Sequence, residues 1–336
     1  MQSPSPAAET ARTELRRARP LLGTVVDIGL SAVGSERALH AAIDAAFAVI
    51  ERVQALLSYQ DPDSELSRLN REAVHGARQV DAHTYRVLET ALRLARSSDG
   101  AFDPCVAPRL EAWGYLPRRA GSVDAAASWR DVELAADGKV RFLRPLRLDL
   151  GGIAKGYAVD LAVQSLQTLD GADIIVNAGG DLRVAGPTPQ TIHLRHPCMP
   201  AAAAHPVTLR NAALATSGAY FSRRCTQGRT VSALVNPRSA EPYVGNRGIT
   251  VRAADCMTAD ALTKVTLFAA APIAARTLSE CGAQALILEA SPVEGRVAAG
   301  ERRARLRQPV PVPGAPVPEV KQAVDRIDQF EQLQAP

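Results

Sequence analysis

The segment Thr258-Ala259-Asp260-Ala261-Leu262-Thr263-Lys264 holds three side chains that could act together. In a helix, Asp260, Thr263 and Lys264 fall at i, i+3 and i+4 and share one face. A carboxylate and a hydroxyl so placed are ligands that a hard divalent cation such as Mg2+ selects, with phosphate oxygens completing its shell. The competing reading is structural, because an aspartate in the first turn of a helix also favours the helix dipole. A second group, Asp149-Leu150-Gly151-Gly152-Ile153-Ala154-Lys155-Gly156, sets two glycines where a strand-like run gives way to a helical one. Unsatisfied N–H groups at a helix start attract anions, and the missing Cβ atoms let a phosphate approach closely. Lys155 adds a cationic donor. The turn matches neither a Walker A loop nor a dinucleotide-binding GxGxxG, so it serves equally well as a tight connection. Asn177-Ala178-Gly179-Gly180-Asp181 and Ala215-Thr216-Ser217-Gly218 are two further small-residue turns. Singly each reads as a turn, whereas three such turns can converge on one ligand.

These groups need elements to hold them. Residues 1–18 read as a disordered arm, and Leu21 to Leu30 as a strand. From Ser35 to Leu57, apolar Leu39, Ile43, Ala46, Ile50, Val53 and Leu57 recur at three- and four-residue steps, which predicts a long amphipathic helix. Residues 58–72 carry Asp-Pro-Asp-Ser turn chemistry, and Tyr85 to Ser97 is helical and closed by Gly100. Leu146–Leu150, the helix after Gly152 and the strand Ile174–Val176 read as a strand–helix–strand unit, with a further strand at Leu182–Ala185. Mixed strands cover about 190–253, a helix begins near Thr258, another spans Ala274–Glu280, and Ala285–Leu288 is a strand. Prolines crowd residues 309–318, which predicts an extended tail.

Composition narrows the class. The 336 residues are 46% hydrophobic with a net charge of +4, enough for one large core or two smaller ones. No apolar run is long enough for a membrane span. The excess arginines cluster at 12–19 and 302–307, and the body lacks the basic stripe with interleaved aromatics that nucleic acid would require. Five scattered cysteines show no metal-ligand spacing and read as small hydrophobes in a reducing compartment. The six histidines show no pairing with a Ser or Cys nucleophile. The first twenty residues lack the apolar centre of a secretory signal, so the expectation is cytoplasmic.

Taken in order, the motifs resemble the ApbE family of flavin transferases over about residues 19–290. The matching stretches are Leu22-Gly23-Thr24, Ser64 to Asn70, Gly100-Ala101-Phe102-Asp103-Pro104, Trp113-Gly114-Tyr115, the 149–156 and 177–181 turns, Ala215 to Gly218, Asn236-Pro237-Arg238 and Ala259 to Leu262. The resemblance implies an α+β fold of the ApbE type, T-fold-like, with mixed sheets, packed helices and two closely joined lobes around a flavin cleft. It implies a core domain over 19–300 and a Pro-rich tail over 301–336. The implied activity is Mg2+-dependent cleavage of the FAD pyrophosphate, leaving FMN as a phosphoester on a Thr or Ser of an acceptor flavoprotein and releasing AMP.

By the same resemblance Ala154 offers its carbonyl and Asp260 its carboxylate to the metal, with Thr263 beside them. Asp149, Gly151, Gly152 and Lys155 shape the pyrophosphate turn, and Lys155 and Asp260 act in catalysis, a group to which the i, i+4 spacing alone, not the resemblance, adds Lys264. Leu22, Asn70, Phe102, Asp103, Asp160, Asp181, Thr216 and Ser217 line the FAD pocket. Many relatives act in the bacterial envelope, so the periplasm is the alternative compartment. Two departures stand out. Ala233 occupies the place of a histidine that could serve as general base, and Lys264 that of a metal-ligating threonine, with Thr263 one residue early. A flavin carrier without catalysis is the alternative that these departures raise, and an FAD pyrophosphatase with water as acceptor is a second.

Overall fold

The computed structural model describes residues 12–197, 199–290 and 304–307. Among these the strands are β1 (Arg12–Leu21), β2 (Thr24–Val33), β3 (Arg78–Gln79), β4 (Val132–Leu134), β5 (Lys139–Phe142), β6 (Asp173–Ala178), β7 (Asp181–Ala185), β8 (Gln190–His196), β9 (Met199–Leu209), β10 (Ala212–Gly218), β11 (Arg224–Thr226), β12 (Arg229–Val231), β13 (Arg247–Ala253), β14 (Gln284–Ala290) and β15 (Ala304–Arg307). The helices are α1 (Glu36–Leu57), α2 (Glu65–Glu72), α3 (Ala82–Ser97), α4 (Ala107–Ala112), α5 (Ala154–Leu166), α6 (Cys256–Phe268) and α7 (Ala271–Glu280).

Eight strands form one antiparallel sheet in the order β1-β2-β6-β7-β10-β13-β14-β15. Its alternation assigns each side chain to a face. Val26, Ile28, Leu30, Val176, Ala178, Ala213, Ala215, Ile249 and Val251 join the core formed with α1, α5 and α6. Leu182, Val184, Leu214 and Leu288 face the other way, onto Leu194 and Leu209 of the β8–β9 hairpin. Helix α1 forms as its periodicity predicts: Ser35 caps it by accepting from the Ala38 N–H, and Leu39, Ile43, Ile50 and Val53 are buried. The small β3-β5-β4 sheet lies apart from the large one. The fold is therefore α+β, an antiparallel sheet with helices on one face.

Several predicted elements shift. The arm expected over 1–18 is paired from Arg12 onward as β1, and the strand expected at 21–30 is broken by a two-residue turn at Leu22-Gly23. β1 is a sheet edge whose arginines find acids: Arg12 meets Asp173, Arg16 meets Asp27, and Arg17 and Arg19 share Asp44. Charge of this kind keeps an edge strand from pairing with another chain. Residues 65–72 form a helix, and α3 begins three residues before Tyr85 because Asp81 caps it. Leu146–Leu150 joins no sheet, so the strand–helix–strand unit lacks its first strand. The tail expected over 301–336 pairs at 304–307 with β14, and residues 308–336 and Cys198 lie outside the described residues.

Candidate active site

Sheet register brings distant turns to one place. Val26 lies opposite Ala178, Ala178 opposite Asp181, Leu182 opposite Leu214, and Gly218 opposite Gly248. The Leu22-Gly23 turn, the Gly179-Gly180 turn and the Thr216–Gly218 end of β10 therefore sit at one end of the sheet. The β6–β7 turn has two residues, with φ of 65° at Gly179 and 107° at Gly180, a conformation that hairpins ask glycine to supply. A Cβ on Gly179 would also lie 2.5 Å from Thr24 Oγ1. Asp181 thus enters β7 directly from the turn, facing α5.

Helices α5 and α6 supply the rest, and Gly156 lets them meet. A Cβ there would fall 2.2 Å from the Cys256 carbonyl oxygen. Across this contact the Lys155 ammonium donates to Asp260 Oδ2 at 3.3 Å and to the Gly151 carbonyl at 3.0 Å, and pairs with Asp181 Oδ2 at 2.9 Å. Lys264 Nζ donates to Asp260 Oδ1 and, at 3.0 Å, to the Asp260 carbonyl. The Asp260 side chain is 1% exposed and Lys155 28%, so the cluster is buried on its carboxylate side and open on its lysine side. Burial would lower Lys155, but Asp181 and Asp260 reverse this and hold its ammonium well above the usual lysine range. Burial likewise pushes Asp260 up, and Lys155 and Lys264 outweigh it, leaving the carboxyl below its ordinary value. Asp181 is raised, by burial and then by the Asp260 charge. Two lysines and two aspartates thus form one ion-paired cluster.

A cleft opens beside Lys264, lined by Phe102, Asp103, Asp149, Gly152, Ala233, Leu234 and Val235. Asn70 does not line this cleft but a separate cavity with Tyr59, Arg119 and Arg147, and it holds the residue before Asp149, donating to the Leu148 carbonyl at 2.9 Å and accepting the Leu148 N–H at 2.8 Å. Asp149 accepts the Gly151 N–H through Oδ1, and burial raises its carboxyl above the ordinary value. Asp103 caps the turn that follows it, with Oδ1 on the Cys105 N–H and Oδ2 on the Trp129 N–H, and burial raises it as well. Leu22 holds a left-handed φ of 56°, its N–H donating to Gln54 Oε1. Ala154 is the first residue of α5 and is buried.

Other predicted residues do something different. Asp260 is the fifth residue of α6, not a first-turn residue: Asp255 caps the helix, and Asp160 takes the Cys256 and Met257 N–H groups at 2.8 Å each. Asp160 also pairs with Arg183, and burial pushes its carboxyl up to about 6. Thr216 and Ser217 part company because successive strand residues face opposite ways. Ser217 meets Thr263 at 2.7 Å on the helix side, while Thr216 meets Thr250 at 2.9 Å on the other face with Leu214. Sequence reasoning missed Arg183, Gln54, Asp255 and the Glu111–Arg147 pair, of which only the Asp255 cap had a local signal, an aspartate just ahead of an apolar run.

A magnesium ion would need the Asp260 carboxylate. Both of its oxygens face ammoniums, and the Thr263 hydroxyl donates to the Asp260 carbonyl at 2.6 Å. No group of three or more His, Cys, Asp or Glu among the described residues could hold a metal. The donor set does not fit a divalent cation.

An antiparallel sheet backed by helices, with a lysine–carboxylate cluster at a glycine turn, defines an α+β protein whose site suits a phosphate-bearing ligand. The chain belongs to the ApbE family, whose model matches residues 22–287. A FAD:protein FMN transferase of Vibrio cholerae is 28% identical over 263 residues, covering 72% of this chain and 78% of that protein. One of Haemophilus influenzae is 28% identical over 240 residues, 64% and 69% of the two chains. The crystal structure of the ApbE protein from Thermotoga maritima matches with a TM-score of 0.73 at 29% identity, covering 83% of this chain and 94% of that one. No helix among the described residues is long and apolar enough to cross a membrane.

Proposed function

We infer that this chain is a FAD:protein FMN transferase. The family match over residues 22–287 carries the reading, and the lysine cluster supports it. In this reaction the oxygen of an acceptor Thr or Ser hydroxyl attacks the FMN-side phosphorus of FAD. The bond from that phosphorus to the bridging oxygen breaks, AMP departs with the bridging oxygen, and the hydroxyl proton is given up. Negative charge grows on the departing phosphate, and fixed cations that need no reorganisation stabilise it. Lys155 and Lys264 are those cations, held in place by Asp260.

Gly152 keeps the backbone open next to Lys264, since a Cβ there would lie 3.3 Å from Lys264 Cε and 3.6 Å from the Phe102 ring. The proton needs an acceptor, and Ala233 at the exposed cleft rim offers none. Asp103 spends both oxygens on backbone N–H groups, whereas Asp149 spends Oδ1, so Asp149 is the cleft carboxylate placed to take the proton.

The test incubates the protein with FAD and a candidate acceptor flavoprotein, following AMP and protein-bound FMN. AMP with labelled acceptor is the expected result. AMP with free FMN would make the chain a hydrolase, and FAD bound without AMP would make it a carrier, the reading that Ala233 favours. Failure to bind FAD would overturn all three.

A further inference from the structure

The lysine at position 264 stands where the site would otherwise ask for a metal. We propose that the Lys264 ammonium occupies the cation position at Asp260, so that this chain neutralises the substrate phosphates with two built-in lysines and binds no divalent ion there. The proposal rests on the transferase reading for the identity of the phosphates and on geometry for the rest. Lys264 is 15% exposed, reaches Asp260 through both a carboxylate oxygen and the main-chain carbonyl, and arises from the helix that carries Asp260. An i, i+4 partner on one helix is tethered there at high effective concentration, and an ion arriving from solution must displace it.

The second carboxylate oxygen is held by Lys155, whose ammonium Asp181 also grips. A divalent ion at Asp260 would therefore lie against two ammoniums and share a carboxylate that both already neutralise. Like charges that close oppose one another by several kcal/mol at the effective dielectric of such sites. The Thr263 hydroxyl does not restore a ligand, because its hydrogen goes to the Asp260 carbonyl and its oxygen meets Ser217. From Lys264 the cleft runs past Gly152 to Phe102, so the ammonium faces the space that the substrate must enter.

The experiment titrates the full chain with Mn2+ and reads bound metal by electron paramagnetic resonance, for wild type, Lys264→Thr and Lys264→Met. Wild type is expected to show no saturable site at millimolar Mn2+, and Lys264→Thr to gain one per chain. In parallel, AMP release from FAD in wild type is expected to be the same in EDTA and in Mg2+, whereas Lys264→Met loses about tenfold in either condition. One saturable Mn2+ site in wild type would overturn the proposal whatever the variants do. So would strict Mg2+ dependence of wild-type AMP release. Should wild type release no AMP under any condition, the transferase reading falls, while the Mn2+ titration still decides whether Lys264 fills the cation position.

Discussion

Replacing Gly156 by Ala tests whether the approach of α5 to α6 builds the site. Two effects of opposite sign compete. Ala is favoured over Gly in a helix by up to about 1 kcal/mol, an upper bound for Gly156 in the first turn of α5, so propensity alone stabilises the variant. Against it, the new Cβ would sit 2.2 Å from the Cys256 carbonyl oxygen, 2.5 Å from its carbon and 2.7 Å from the Met257 nitrogen. All three are backbone atoms, so no rotamer change relieves the clash, and the helices must part by about 1 Å to recover ordinary separations. Overpacking of this kind costs about 1–3 kcal/mol, and the rigid obstacle puts this site at the upper end. The net expectation is a loss of about 2 kcal/mol, which lowers Tm by roughly 3 °C in a chain of 336 residues. Lys155 precedes Gly156 and Asp260 lies one turn beyond Cys256, so the same shift opens the Lys155–Asp260 contact. Misplacement by about 1 Å in a site of positioned charges costs on the order of a hundredfold in kcat/KM. Urea denaturation and AMP release measured on one preparation check both expectations. A variant as stable as wild type, or more so, would refute the reasoning, because propensity would then have outweighed the contact.

Other expectations concern the supports of the site. Glu111→Ala removes the carboxylate from Arg147, which is 10% exposed and keeps only the Arg119, Ala120 and Gly121 carbonyls, and should cost about 3 kcal/mol in urea, since a buried charge loses its counter-charge. Asn70→Ala leaves the Leu148 N–H and carbonyl unpaired at about 1–3 kcal/mol each, and should lower kcat/KM for FAD as the 148–152 segment loosens; unchanged kinetics would separate Asn70 from the site. Asp160, raised by burial from 3.8 to about 6, binds a proton more tightly folded than unfolded. Its contribution therefore falls as pH rises from about 4 to 6, by on the order of 3 kcal/mol. Wild type should lose that much stability relative to Asp160→Asn between pH 4 and 7. A gain instead would mean that Arg183 and the α6 N–H groups stabilise the carboxylate form.

What could be read from the chain divides by range. Helix α1 was legible because period and Ser35 cap agree, and the Asp260–Lys264 contact because i, i+4 spacing needs only a helix. β1 hid because an edge strand guarded by arginines looks like a charged arm. α2 hid because Leu66 and Leu69 alone mark its buried face with apolar side chains. Leu146–Leu150 looks like a strand because it is extended and apolar, yet side chains and loops take its hydrogen bonds. The Lys155–Asp181 pair follows no sequence spacing; it depends on β6 finding β7 and on α5 crossing both. Thr216 was assigned with Ser217 because a motif is read as a unit, whereas a strand deals its residues alternately to two faces.

The antiparallel order of the large sheet bears on when this protein becomes competent. β2 cannot meet β6 until the chain from Val26 to Ala178 has been made, and Asp260 and Lys264 arrive later still on α6. Closing such long loops is slow compared with forming local helices and hairpins. The site is therefore among the last things to be completed during synthesis, because the Lys155–Asp181 half must wait for α6 to bring Asp260 and Lys264. Occupancy by a ligand would mark a finished molecule and, by mass action, hold it finished.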